Sequence, residues 1–191
     1  MTHPFKPQII KDSTSIIIGT LPPDNIEFYY SNSSNTRMWD LLKSIQENTQ
    51  DIPKNSYQLP TEVKKNILMK LNLSMADIVF EYERKQDSTR DSDIVPIKYN
   101  DIETIIKNTS IKNLIFVYES ALQWFLHSLK KENSIELKKL PKVQSKGYGI
   151  VNKISLNGKS INCILLPNPL SRGKKGETLK FKREIYKEWI A

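Results

Sequence analysis

Residues 113–129, NLIFVYESALQWFLHSL, hold the change of pattern on which the fold depends. Asn113 to Val117 reads as a buried strand, continuously apolar from Leu114 onward. Ala121, Leu122, Phe125, Leu126 and Leu129 then recur at helical spacing, so a helix follows and lays one stripe on the core. Together they predict one β-then-α unit.

Toward the amino end, Ser15-Ile16-Ile17-Ile18 closes on Gly19 and meets Pro22-Pro23 almost at once, which predicts a second buried strand running into a loop. Met38, Leu41, Leu42 and Ile45 predict a helix beginning near Thr36. The stretch from Gln46 to Pro60 reads as irregular, and Val63, Ile67, Leu68 and Leu71 predict another short helix. Residues 77–99 show no clean period. Asn100 with Glu103 predicts a capping box for a helix carrying Ile102, Ile105 and Ile106.

Toward the carboxyl end, Ile150–Leu156 and Ser160–Leu166 flank Asn157-Gly158, the dipeptide best suited to a two-residue hairpin turn because both positions tolerate positive φ. A last helix is expected to present Phe181, Ile185 and Trp189 to the core. Strands alternating with helices predict the α/β class: a three-layer α/β/α fold with a central, mainly parallel, open sheet of about four strands. No repeat, linker or low-complexity tract divides the chain, so residues 1–191 read as one domain.

The 191 residues are 38% apolar and 26% charged, the composition of a globular protein. A net charge of +8 and a pI near 9.4 favour a polyanionic partner, nucleic acid first among them. The lone Cys163 lies in the apolar run INCILL and reads as a small buried hydrophobe; one cysteine excludes an internal disulfide and a four-thiolate iron–sulfur cluster. No stretch approaches a membrane span and residues 1–15 lack the apolar core of a signal peptide, so a cytosolic protein, and a monomer, is expected. His3, near an end expected to fray, and His127, on the apolar helix, supply neither a Ser/His/Asp triad nor a zinc site.

In open α/β sheets ligands bind beyond the carboxyl ends of the strands, which directs attention to the loops after Ile18 and Leu166. The first reads Gly19-Thr20-Leu21-Pro22-Pro23-Asp24 and continues through Phe28-Tyr29-Tyr30 to Asn35, Arg37 and Trp39. The second reads Pro167-Asn168-Pro169-Leu170-Ser171-Arg172. The first resembles the opening motif of the hypoxanthine-DNA glycosylase branch of the uracil-DNA glycosylase superfamily: a Gly-x-x-Pro turn, paired aromatics, then an Asn shortly before a Trp. The second is similar to the Pro-Asn-Pro, Leu-Ser-Arg loop of the mismatch-specific uracil/thymine-DNA glycosylases. The likeness runs from Ser15 to Arg172.

This resemblance implies an enzyme without metal or cofactor that acts on double-stranded DNA, flipping out a deaminated or mispaired base and hydrolysing its bond to deoxyribose. Gly19, Leu21, Tyr29, Tyr30 and Asn168 would hold the base. Either tyrosine could stack on it, ordinary packing being the other reading of such a pair. Asn35 is open to two readings, a helix N-cap or an amide that positions water or holds the base edge. Asp24 reads first as a turn-former after Pro-Pro and, in the other reading, as the carboxylate that activates water or stabilises a cationic sugar. Asn168, fixed between prolines, would donate to a base carbonyl and stabilise the departing anion.

Leu170 would fill the space a flipped nucleotide leaves, with Ser171, Arg172, Lys174 and Lys175, and beyond them Lys180 and Lys182, toward the DNA. Leu21 stands where several glycosylase families place a catalytic Asp or Asn, which points to the hypoxanthine-like branch, with its catalytic Asn at Asn35. The same leucine supports a rival reading, a catalytically silent DNA-binding relative. Val117-Tyr118-Glu119 replaces the glycine that often follows the middle strand and is expected to alter the pocket floor.

Overall fold

A strand whose consecutive side chains are all apolar must be covered on both faces, because successive residues point to opposite sides. Ile16, Ile17 and Ile18 meet that condition, each being fully buried. The computed structural model of the protein describes residues 1–23, 26–31, 35–84, 93–131, 148–171 and 177–190. In chain order these form β1 (Ser15–Gly19), α1 (Met38–Gln46), a 3₁₀ turn (Ser56–Gln58), α2 (Thr61–Lys70), β2 (Leu73–Asp77), β3 (Val79–Arg84), β4 (Ile94–Tyr99), α3 (Ile102–Lys107), β5 (Asn113–Phe116), α4 (Glu119–Lys131), β6 (Gly149–Leu156), β7 (Lys159–Leu165) and α5 (Leu179–Ile190).

The central sheet has five strands in the order β2-β1-β5-β7-β6. β2, β1, β5 and β7 run parallel and β6 pairs antiparallel with β7 at the edge. Alternation then sorts the core. Ile16, Ile18, Leu114, Phe116, Cys163 and Leu165 pack with α3 and α4 on one face. Ile17, Leu73, Met75, Ile115, Ile164 and Leu166 pack with α1, α2 and α5 on the other. This is the expected three-layer α/β/α arrangement. No helix among the described residues is long and apolar enough to cross a membrane. Burial pushes the Cys163 thiol up to about 12, so it remains a protonated hydrophobe at neutral pH.

The hairpin turns at Asn157 (φ 50°) and Gly158 (φ 75°), both in the left-handed region, with Leu156 paired to Lys159. The fifth strand, β2, was not legible: Leu-Ser-Met-Ala-Asp has no β-branched residue, and it is held by its neighbours. It pairs with β1 along its length, while Gln8 bridges Met75 on its outer edge and covers backbone groups that an edge would leave open. Val79–Arg84 and Ile94–Tyr99 form the separate ribbon β3-β4. Its register shifts between Val79 and Tyr82, and Val95 and Ile97 face outward at 59% and 51% exposure, so no alternation marks it in the sequence.

Three local expectations are corrected. Asp101 caps α3, accepting from the Thr104 backbone N–H at 2.8 Å, while Asn100 donates instead to the Asp77 carbonyl at 2.7 Å. α1 starts at Met38 with Arg37 in the cap position, which removes the N-cap reading of Asn35. α5 buries Lys182, Arg183, Tyr186 and Ile190, whereas Phe181 is 42% exposed and Ile185 and Trp189 are half-buried. Long cationic side chains can lie inward where their stems pack on apolar neighbours and their heads meet acceptors, and carbonyls of the 167–171 loop provide them for Lys182.

Candidate active site

At the carboxyl edge of the sheet β1 ends on Gly19, which is paired with Asp77 at the end of β2. A Cβ on Gly19 would come within 2.2 Å of Asp77 Oδ1 and 2.6 Å of the Tyr30 hydroxyl. Glycine is therefore required here by close approach. Gly19→Ala is expected to cost roughly 1–3 kcal/mol of stability, the usual range for overpacking, read as a lower denaturant midpoint. An unchanged midpoint would show that Asp77 and Tyr30 yield freely.

Asp77 is not free to yield easily. Its Oδ2 lies 3.0 Å from His3 Nε2, and the other His3 ring nitrogen lies 2.6 Å from the Phe5 carbonyl oxygen. The His3 side chain is 1% exposed, so this residue is docked against the sheet rather than frayed as expected. His127, on the helix α4, is exposed and edges Tyr99. Tyr30 sits at φ 52°, with a buried hydroxyl that has no hydrogen-bond partner among the described residues. Burial first, and the neighbouring Asp77 charge second, push its phenol well above the ordinary range, so it stays protonated and able to donate.

The tyrosine pair is divided. Tyr29 is 1% exposed, packs edge-on to Phe5 and Phe28, and donates its hydroxyl to the Lys6 carbonyl at 3.2 Å. The Tyr29 carbonyl in turn accepts from Trp39 Nε1 at 2.7 Å. Tyr29 is thus committed to the core and Tyr30 to the carboxyl edge of the sheet. Leu21 is also buried, at 8% exposure, among apolar neighbours, while Arg84 holds the adjacent Pro22 carbonyl at 2.9 Å.

The loops after β1 and β7 converge. Arg37 N–H donates to the Pro169 carbonyl at 2.6 Å, Ser171 N–H donates to the Asn35 carbonyl at 2.7 Å, and Thr36 bridges Leu170 antiparallel. Asn35 and Ser171 are exposed, and Leu170 is half-buried. The strip is anchored from below on both sides. Asp40, 1% exposed, bonds to Arg37 and accepts from Ser56 N–H at 2.8 Å, while the Tyr186 hydroxyl donates to the Pro167 carbonyl at 2.8 Å.

Asn168 lines a cavity of about 250 Å³ between the ends of β5 and β7 and the starts of α4 and α5, shared with Tyr118, Glu119, Tyr148 and Glu177. That is below the roughly 300–1,000 Å³ of pockets for drug-sized ligands and suits a small heterocycle. Tyr148 donates to Glu177. Burial, that hydrogen bond, and the charges of Glu177 and Glu119 raise the Tyr148 phenol far above its usual range. Tyr118 lines the cavity and also packs, like Tyr30, against the core on the α1, α2 and α5 face of the sheet. Val117, Tyr118 and Glu119 all line this cavity.

Asp24, Arg172, Lys174 and Lys175 lie outside the described residues. Lys180 is exposed, but Lys182, expected among cations facing DNA, has no exposed surface and turns under the 167–171 loop. Sequence reading gave no site role to His3, Asp77, Tyr148 or Glu177, and gave Lys182 a different one, among the cations toward DNA. All five acquire their places through contacts between distant segments.

No protein-family model matches the chain, and no curated protein matches it in sequence. Among solved structures it is similar to a candidate uracil DNA glycosylase from Methanosarcina acetivorans, determined in solution by NMR. The likeness covers 99% of this chain and 96% of that one, with a TM-score of 0.63 and 14% sequence identity. At that identity what is shared is the fold: along nearly its whole length, this chain has the architecture of that uracil-DNA-glycosylase-like protein.

Proposed function

We propose that the chain is a monofunctional DNA glycosylase that flips a deaminated or mispaired base out of double-stranded DNA and hydrolyses its N-glycosidic bond. The products are the free base and an abasic site. The observation that carries this reading is the backbone pairing of residues 35–37 with 169–171, which ties the backbone of Asn35 to the strip that holds Asn168 over a small cavity. The shared fold supports it. So does the charge of +8, which suits a polyanion.

In this reading the extruded base enters the cavity beside Tyr118, and Asn168 donates to a base carbonyl. As the C1′–N bond breaks, its electron pair leaves with the base. Asn168 stabilises that negative charge, which needs no reorganisation of a donor already fixed in place. Asn35 positions the water that adds to C1′, and Asp24 takes its proton or stabilises the cationic sugar. Tyr30, protonated near the carboxyl end of β1, is proposed as a further donor to the base, with Gly19 and Leu21 beside it in the sequence-derived base-binding set. Leu170 fills the vacated stack, while Ser171, Arg172, Lys174 and Lys175 meet the backbone.

The test is incubation with labelled duplexes carrying uracil, hypoxanthine or thymine opposite each partner base, followed by alkali to break strands at abasic sites. Asn35→Ala is the informative variant, because the Asn35 contact to Ser171 uses the backbone carbonyl, which alanine retains. It is expected to leave the melting temperature unchanged and to lower excision about 100-fold, the scale of one positioned catalytic group. Wild-type activity in Asn35→Ala would remove Asn35 from the mechanism. Leu21, apolar and buried, favours a second reading, a silent relative that binds a modified base; binding to a base-bearing duplex with intact strands throughout would establish it.

A further inference from the structure

The ammonium of Lys182 has no exposed surface and projects from α5 beneath the loop that follows β7. Its Nζ donates to the Asn168 carbonyl at 2.9 Å and the Leu170 carbonyl at 2.9 Å, and reaches Asn168 Oδ1 at 3.4 Å. Glu177 Oε2 lies 3.9 Å away on the cavity side. An ammonium has three protons and no lone pair, so it can face only acceptors. The side-chain amide of Asn168 therefore has one stable orientation, oxygen toward Lys182; the reverse would set an NH₂ group against a cation. The amide nitrogen is what remains for the cavity, and it makes no hydrogen bond among the described residues.

From this geometry we infer that Lys182 is a positioning residue: it fixes the Asn168 amide with its NH₂ toward the cavity, and so makes this point of the site selective for a carbonyl oxygen on the ligand. The inference deepens the glycosylase reading and rests on it for the identity of the ligand as a nucleobase. Lys182 touches neither base nor sugar. It acts through Asn168 by orienting the donor, and its buried positive charge strengthens that donor as negative charge develops on the ligand oxygen. It also clamps the backbone on both sides of Pro169, the residue whose carbonyl receives Arg37 N–H, so the same ammonium helps hold the two loops together.

Two measurements on the full chain test this. In the first, Lys182→Met and Asn168→Asp are compared with wild type on the duplex it cleaves best. Asn168→Asp keeps the shape and still offers an oxygen to Lys182, but presents an acceptor to the cavity. Both variants are expected to lower kcat about 100-fold, with KM within about twofold of wild type. A wild-type kcat in either overturns the inference.

In the second, free hypoxanthine or purine, which lacks the 6-oxygen, is added to ¹⁵N-labelled protein while the Asn168 side-chain amide is followed by NMR. The amide should shift with hypoxanthine and stay in place with purine. An equal response to both, or to neither, overturns the inference without reference to turnover or to the folding of any variant. Should wild type cleave no duplex while the amide still responds to hypoxanthine alone, the glycosylase reading falls and the carbonyl selectivity of the Asn168 amide stands.

Discussion

Replacing Asn168 by alanine is expected to lower base excision about 10²–10³-fold, the loss seen when one preorganised donor to a developing anion is removed. The magnitude follows from how firmly the residue is held. Its backbone carbonyl accepts from Lys182, the neighbouring Pro167 carbonyl accepts from the Tyr186 hydroxyl, and Pro169 is buried on its other side. Alanine keeps both backbone hydrogen bonds and deletes only the side-chain amide, whose one polar contact among the described residues is the 3.4 Å approach of its oxygen to Lys182. The fold should therefore survive, with an unchanged denaturant midpoint, and the loss should appear in kcat rather than KM if the donor acts mainly as charge develops. Steady-state excision on the preferred duplex, with unfolding measured on the same sample, decides it. A loss carried wholly by KM would mean that Asn168 holds the base equally before and during bond cleavage.

The second large effect concerns stability. Trp39→Ala should cost about 3–5 kcal/mol, the usual range for emptying an aromatic site in a packed core. Trp39 is fully buried, stacks on Phe28 with ring centroids 5.8 Å apart, and donates Nε1–H to the Tyr29 carbonyl at 2.7 Å. Its loss leaves a cavity and, in addition, a buried carbonyl without its donor. That carbonyl immediately precedes Tyr30, whose positive φ and buried hydroxyl depend on a well-held chain. Against a total stability of roughly 5–15 kcal/mol the penalty is a large fraction, and a domain of this size should melt on the order of 10 °C lower. Thermal unfolding by circular dichroism checks it; a shift of only a degree or two would mean that the Phe28–Tyr29 segment collapses onto the vacancy.

These two residues differ in how far the sequence announces them. Asn168 is marked by its own neighbours, a Pro on each side at the end of an apolar run, so its place at a strand end was legible. Trp39 was visible as part of the loop pattern, but its partner was not, because Tyr29 and Tyr30 are indistinguishable as residue types. What separates them is tertiary: Phe5 and Lys6, from the amino-terminal segment, capture Tyr29, while Gly19 and Asp77 leave space only for the Tyr30 hydroxyl.

The parts of this protein that the sequence alone determined are those in which local pattern and final environment agree. Ile16–Ile18 and Leu114–Phe116 are apolar without a break, a pattern that suits a strand covered on both faces, and Asn157-Gly158 supplies two positive-φ residues where a tight hairpin needs them. The α4 stripe follows from helical spacing in the same way. Only the tertiary structure decided β2, the inward face of α5, the His3–Asp77 pair and the burial of Lys182. Each places polar or weakly β-forming residues in the interior, which is stable only when a partner from another segment satisfies them, and His3 and Asp77 are 74 positions apart. Hydrophobic periodicity reports which face of an element avoids water, but it carries no information about which distant carbonyl or carboxylate will meet a buried charge.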